Sequence, residues 1–395
     1  MITIAATGQL LVHQALDLSS PATRKLASFL NQADCAIANL EASIKAQGAW
    51  ATKTKTLHLA EPNALMSLKQ LGFDALAHAN NHAFDLGPPG IIATHQAAQK
   101  AGLVLAGSGE DSQQALRPAV LRTEQGICAL ISVDLGPQPQ INYAGSHRAG
   151  LAPLRMERSV ICPPDTFEHL QQMADQLGES ARKKARQQVG YDAPSHTLKE
   201  LDLFGTRVKQ GAALGLEWQV QEEDWQAFER VLAQACAEAD YVVIALHSHH
   251  WDPDWSKAPH WWQALACRMI DLGAHMIVGT GAPVLQTLSF HKQRPILSGL
   301  GNCIFHTHRA AVYDQERPAV WQGAACRAHF DAKGQCTRLE IMPLHVGRPE
   351  LYDQGLLAQG LPLGPQAMEA EAAAEIFASL VADLTPDERA LVHLA

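Results

Sequence analysis

The chain has 395 residues, 47% of them hydrophobic and 18% charged. That balance supplies a large core and excludes a disordered chain. With 31 basic against 40 acidic residues the net charge is −9. This argues against a nucleic-acid binder or a polybasic membrane anchor and favours small molecules, peptides or metal ions as partners.

Short apolar runs predict strands at 2–6, 34–39, 73–78, 104–106, 119–121 and 127–133. Helical patterns fall between them at 22–31, 62–71 and 87–102. Pro62 suits a first helical turn, and Gly102 suits a helix end. From 137 to 223 the alternation weakens under Pro137, Pro139, Pro153, Pro163, Pro164 and Pro194. This stretch is expected to be an inserted segment, with a polar helix at 167–188 that carries Arg182-Lys183-Lys184. Alternation resumes with a helix at 224–239, a strand at 241–246, a helix at 259–272 and a strand at 275–279. Short strands at 285–288 and 295–298 follow, then β-like runs at 322–331 and 336–344. A helix at 365–382 closes the chain. The expected class is α/β, with residues 1–345 as one domain and 346–395 as a helical tail packed on it.

No run of about 20 apolar residues marks a membrane helix. Met1-Ile2-Thr3-Ile4-Ala5-Ala6-Thr7 lacks the basic stretch of a signal peptide, so no membrane anchor is expected. Eight cysteines without a Cys-x-x-Cys pair fit free thiols and a cytoplasmic location. Glycine-rich nucleotide motifs are missing, so no nucleotide cofactor is expected. The oligomeric state is open.

The unusual count is 19 histidines, the commonest metal-ligand side chain and the usual acid/base near neutral pH. In α/β sheets ligands bind beyond the C-terminal ends of strands. Several such ends carry suitable groups. The first reads Thr7-Gly8-Gln9 and the second Asn39-Leu40-Glu41. The third runs into His78-Ala79-Asn80-Asn81-His82, and the central one ends in His247-Ser248-His249-His250-Trp251. In an extended segment His247 and His249 share one side, as do His306 and His308.

The stretch from Leu71 to Gly87, with Asn80-Asn81-His82 at its centre, closely resembles the signature of the CapA family. That family is named for capsule and poly-γ-glutamate synthesis and resembles calcineurin-like metallophosphatases in fold. Further matching pieces follow in order: Asn39-Leu40-Glu41, Gly107-Ser108-Gly109, Gly150 to Arg155, Asp271-Leu272-Gly273-Ala274 and Leu300-Gly301-Asn302. The resemblance spans roughly residues 1–345. It implies two facing sheets flanked by helices, with Glu41 as a metal carboxylate, Asn81 as a ligand amide, His82 as the catalytic acid and His247 as a ligand.

Two departures stand out. The family's Gly-Asp is Gly8-Gln9 here, and its Gly-His-x-Pro-His is Gly279-Thr280-Gly281-Ala282-Pro283. A two-metal site therefore loses a carboxylate and its late histidines. The extra histidines offer a rebuilt site for one zinc, manganese or iron ion, with His249 and His306 joining Glu41, Asn81 and His247. Gln9, Asn80, Arg155 and Trp251 are candidates for substrate contact.

The first functional expectation is metal-assisted hydrolysis or transfer on a carboxylate-rich peptide or amide-type substrate, with His82 and His247 catalytic. The alternatives are metal-free proton transfer of an epimerase kind by those two histidines, and a non-catalytic ligand-binding accessory role in polymer or capsule synthesis.

Overall fold

A computed structural model describes residues 1–54, 56–192, 199–346 and 364–395. The chain divides into two compact units, 1–154 with 224–395, and 155–223.

The first unit is mixed α/β and is built on two sheets. In the nine-stranded sheet the order runs Gln366–Ala367, Cys336–His345, Gln322–Phe330, Ile2–Leu11, Cys35–Leu40, Ala75–Ala77, Val104–Ala106. Asn302–Phe305 also pairs with Ile2–Leu11, and Val392–Leu394 with Cys336–His345. The six-stranded sheet runs Leu288–His291, Arg294–Leu297, Met276–Thr280, Tyr241–His247, Gly126–Asp134, Ala119–Thr123.

Alternation of side chains along each strand decides the layering. Ile2, Ile4, Ala6 and Ile37 of the first sheet share one buried core with Leu130, Val243, Ala245 and Val278 of the second. The sheets thus pack face to face. Ala5, Ala36 and Ala38 face the other way and pack under Leu26, Leu30, Leu65 and Leu68 of helices Pro21–Asn31 and Asn63–Leu71. Val242, Ile244 and Leu246 are buried on the outer face of the second sheet. Strands buried on both faces read as continuous apolar runs, which is why 241–246 was legible.

Parallel pairing puts functional strand ends together. Ile2–Leu11 pairs in parallel with Cys35–Leu40, which pairs in parallel with Ala75–Ala77. Tyr241–His247 lies parallel to both Gly126–Asp134 and Met276–Thr280, so His247 stands level with Asp134 and Thr280.

The structure differs from the sequence expectations in four respects. The first strand extends through Leu11, beyond the predicted 2–6, because polar Thr7 and Gln9 are buried between two paired neighbours. The second unit begins at Arg155 and not at 137. Gly150–Leu151 pairs with Ser108–Gly109, and Pro153 bridges to Asp134, so the preceding residues belong to the first unit. That second unit holds four strands, in the order Glu200–Leu203, Thr206–Gln210, Met156–Cys162, Gly215–Val220. Its single expected helix is two, Pro164–Gln176 and Glu179–Gln188, divided at left-handed Gly178. The C-terminal segment is not simply helical. Around helix Ala370–Leu380 it adds two strands to the first sheet. Residues 347–363 of the expected tail lie outside the described residues.

Gly8 shows how closely the strand ends meet. A Cβ there would run into the Gly301 carbonyl and lie 2.9 Å from the Leu300 carbonyl oxygen. Backbone cannot yield as a flexible side chain does. Gly8→Ala is expected to cost at least about 1–3 kcal/mol, the usual range for overpacking. An unchanged urea midpoint would contradict this packing.

Candidate functional site

A cleft of about 190 Å³ opens where these strand ends converge. Its lining includes Gln9, Glu41, His58, Asn81, His82, His249, Trp251 and Arg309. One ligand atom each from Glu41, His247 and His249 lies within 4.8 Å of the others. His247 Nε2 is also 2.9 Å from Asn81 Oδ1. That is a hydrogen-bond distance, and it brings the Asn81 amide oxygen within reach of an ion that took the place of the bridging proton.

Burial shapes the electrostatics. Glu41 is 3% exposed, and desolvation pushes its carboxyl up to about 8 against the pull of the Lys53 ammonium. Nearby Asp85 and Asp134 push the same way. Burial also drives His247 well below its ordinary range, with help from His249 and His82, which keeps the ring neutral and able to coordinate. Asp134, buried with the Tyr143 hydroxyl donating to it at 2.9 Å, is raised by desolvation to about 7. Three acidic groups around neutral imidazoles form a place where a cation relieves the cost of burying carboxylates. The residues therefore fit one divalent ion. Glu41, Asn81, His247 and His249 would hold it, and Thr280 Oγ1, 3.0 Å from His247 Nδ1, orients the ring from behind.

His82 stands beside this group. Its Nδ1 is 2.8 Å from Asp85 Oδ2, while Lys53 Nζ lies 2.5 Å from Asp85 Oδ1 and donates to the Asn81 carbonyl at 2.6 Å. Asp85 is fully buried, and desolvation raises it to about 6 despite Lys53. With Nδ1 engaged, proton exchange with a ligand runs through Nε2. Lys53 and Asp85 were missed by sequence reasoning. Asp85 lay within the quoted signature, three residues after His82, while Lys53 carried no local signal.

Other expectations resolve differently. Gln9 lines the cleft, but both its polar atoms are committed. Its Nε2 donates to Asn302 Oδ1 at 2.9 Å, and its Oε1 accepts from the Gly281 N–H. The side chain at the departed aspartate position is therefore tied to Asn302 and Gly281, and Gln9 braces the strand ends. Gly281 adopts φ +111 with its missing Cβ against the Ser248 carbonyl, which only glycine accommodates; it stands at the variable position of the lost motif, whose two histidine positions are held by Thr280 and Pro283. Asn80 is fully buried, donating to Asn39 and Leu40 and accepting from the backbone of His82 and Ala83. It shapes the loop and does not face a substrate. His306 is fully buried and accepts from His13 N–H at 2.9 Å, outside the Glu41–His247–His249 group. Arg155 is the first residue of the second unit, whereas the cleft is lined by the first. Trp251 does line the cleft, with its ring 5.0 Å from that of His249.

Comparison with known proteins adds the family. Residues 3–307 match the model of the bacterial capsule synthesis protein PGA_cap. An uncharacterised protein y4uA of Sinorhizobium fredii is 30% identical over 78% of this chain and 67% of its own. A probable polyglutamine synthesis accessory protein of Mycobacterium tuberculosis is 23% identical over 80% of this chain and 67% of its own. The capsule biosynthesis protein CapA of Bacillus anthracis is 33% identical over 27% of this chain and 24% of its own. Among solved structures, a novel phosphatase from Mycoplasma pneumoniae aligns with a TM-score of 0.41 at 11% identity, over 87% of this chain and 92% of that one.

Proposed function

The chain belongs to the PGA_cap family of bacterial capsule synthesis proteins, and from that premise we propose a single-ion enzyme that hydrolyses or transfers an amide bond in a carboxylate-rich peptide. The observation that carries this reading is the convergence of ligand atoms of Glu41, His247 and His249 within 4.8 Å, with Glu41 and His249 lining the cleft. A divalent zinc, manganese or iron ion bound there would polarise the substrate oxygen and make water a stronger nucleophile.

The protein's own groups supply the rest. Trp251 forms an apolar wall that orients substrate and excludes water. His82 Nε2 gives a proton to the departing amine. Asp85 and Lys53 hold the His82 ring by its other nitrogen and keep Nδ1 from competing. Eight free cysteines support a reducing, cytoplasmic setting. Among the described residues no helix is long and apolar enough to cross a membrane.

Elemental analysis of purified protein after loading with zinc, manganese or iron tests this directly, with Glu41→Ala as the control. About one ion per chain, lost in the variant, is expected. Protein that takes up no ion under any loading condition overturns it and leaves the metal-free proton-transfer and non-catalytic accessory readings.

His82→Ala is expected to lower kcat on glutamate-containing oligopeptides by about 10²–10⁴, the usual reach of general acid catalysis, while ion content is retained. Asp85→Asn should instead displace the limb of the pH–rate profile that reports His82. A profile unchanged in the Asn variant would remove Asp85 from this role.

A further inference from the structure

One wall of the cleft carries a cation that the proposed chemistry leaves unused, and a second lies just beyond it. Arg309 lines the cleft at the start of helix Ala310–Glu316. Its guanidinium lies 5.8 Å from the centre of the Tyr313 ring, and Tyr313 lines the same cleft. Among the described residues no carboxylate pairs with Arg309, although the chain carries 40 acidic residues. Arg317, just past the same helix, sits 4.8 Å over the Trp255 ring. Trp255 packs edge-on against Trp251 at 4.6 Å, and Trp251 against His249 at 5.0 Å. A continuous series of rings thus leads from an ion-donor histidine out to a guanidinium.

This wall is held in place. Tyr313 and Trp255 pack on a buried cluster of Leu11, Val284, Phe305, Ala310, Val320 and Trp321. Gln286 Nε2 donates to the backbone carbonyls of Trp255 and Lys257 at 2.9 and 3.2 Å, which pins the tryptophan loop. Guanidiniums resting on aromatic faces are oriented in advance and lose little freedom when they take a carboxylate in a fork.

We propose that Arg309, on the cleft wall, and Arg317, beyond it over Trp255, are specificity-determining residues, which bind carboxylates of an acidic oligopeptide that runs out of the cleft along the Trp251 and Trp255 rings. The assignment rests on the reading above that the cleft acts on a carboxylate-rich peptide. An extended peptide advances about 3.3 Å per residue. Ring-to-ring steps of 5.0 and 4.6 Å, with the Arg317 guanidinium a further 4.8 Å over Trp255, therefore place that guanidinium one or more residues away from the reacting bond. The two arginines answer a need created elsewhere: a chain of net charge −9 repels an acidic polymer unless the mouth of its site is locally cationic.

Titration calorimetry with penta-glutamate and penta-glutamine tests this on the full chain, wild type against Arg309→Gln, Arg317→Gln and the double variant, with ion content measured in each. Wild-type protein is expected to prefer penta-glutamate, and each single variant to weaken it about tenfold without changing penta-glutamine. The preference should also fall steeply with added salt. Arg309→Lys, which keeps the charge but not the fork, should recover only part of the loss. Wild-type protein that binds both peptides alike, or neither, overturns the assignment. So do arginine variants that retain the preference. Ion content separates the two proposals: normal ion uptake without a peptide preference refutes the arginine role alone, and absent ion uptake refutes the single-ion enzyme.

Discussion

A Glu41→Gln variant will fold as stably as the wild-type protein at neutral pH yet gain nothing from zinc or manganese. Both halves follow from one buried carboxyl. With its pKa pushed up to about 8, Glu41 is largely protonated at pH 7 in ion-free protein, so an amide of the same shape changes little. The 3.3 Å bond from Asn39 Nδ2 to the Glu41 carboxyl is kept by a glutamine oxygen. An ion changes the balance, because only a carboxylate can give it charge compensation in a desolvated site. For the wild type, an ion present at 100 times its Kd stabilises by about 2.7 kcal/mol. For a unit of this size that corresponds to a rise in Tm of roughly 5 °C. Thermal unfolding across an ion titration checks both halves. A variant that keeps the shift would show that Glu41 is not a ligand, and a variant unstable without ion would show that the carboxylate is charged in the fold.

Ion-free protein will lose stability as pH rises from 6.5 to 8. The sign follows from proton counting. Glu41 and Asp134 have folded pKa values raised to about 8 and about 7, against ordinary values near 4 in the unfolded chain. In this window the unfolded state has released protons that the fold still holds, so raising pH favours unfolding. Each proton so retained contributes a slope of about 1.4 kcal/mol per pH unit. Glu41 alone therefore accounts for a loss on the order of 2 kcal/mol across the window. Below pH 6.5 the buried histidines His58, His247 and His306 act in the opposite sense. Burial lowers their pKa values, so acid protonates them only in the unfolded chain and again costs stability. Urea midpoints in chelator at pH 6.5, 7.25 and 8 measure the effect. Glu41→Gln should flatten most of the slope, and saturating ion should flatten it in the wild type. A midpoint that stays constant or rises with pH in ion-free wild type would contradict the buried, uncompensated carboxyl.

Sequence patterning showed the alternating α/β architecture because strands such as 241–246 are buried on both faces and read as unbroken apolar runs. The resemblance around Asn80-Asn81-His82 identified the family and brought out Glu41, Asn81, His82 and His247. What patterning missed has a common cause. Ile2–Leu11 was read short because polar Thr7 and Gln9 are buried by partners on both sides, and burial of that kind leaves no periodic trace. The small sheet of residues 155–223 escaped because its strands are half exposed and mixed in character.

The sequence by itself determined the set of chemical groups: one carboxylate, an Asn-His pair and a surplus of histidines beside a lost aspartate. Only the tertiary structure decided which of them meet. It brought His249 to Glu41 and His247, and placed His306 apart on His13. It turned Gln9 and Asn80 into braces and put Lys53 and Asp85 behind His82. The physical reason is that coordination and proton transfer act over about 3 Å, whereas the residues concerned lie far apart in the chain, Asn81 and His247 by 166 positions. Parallel strand register closes that separation, and residue order alone does not encode it.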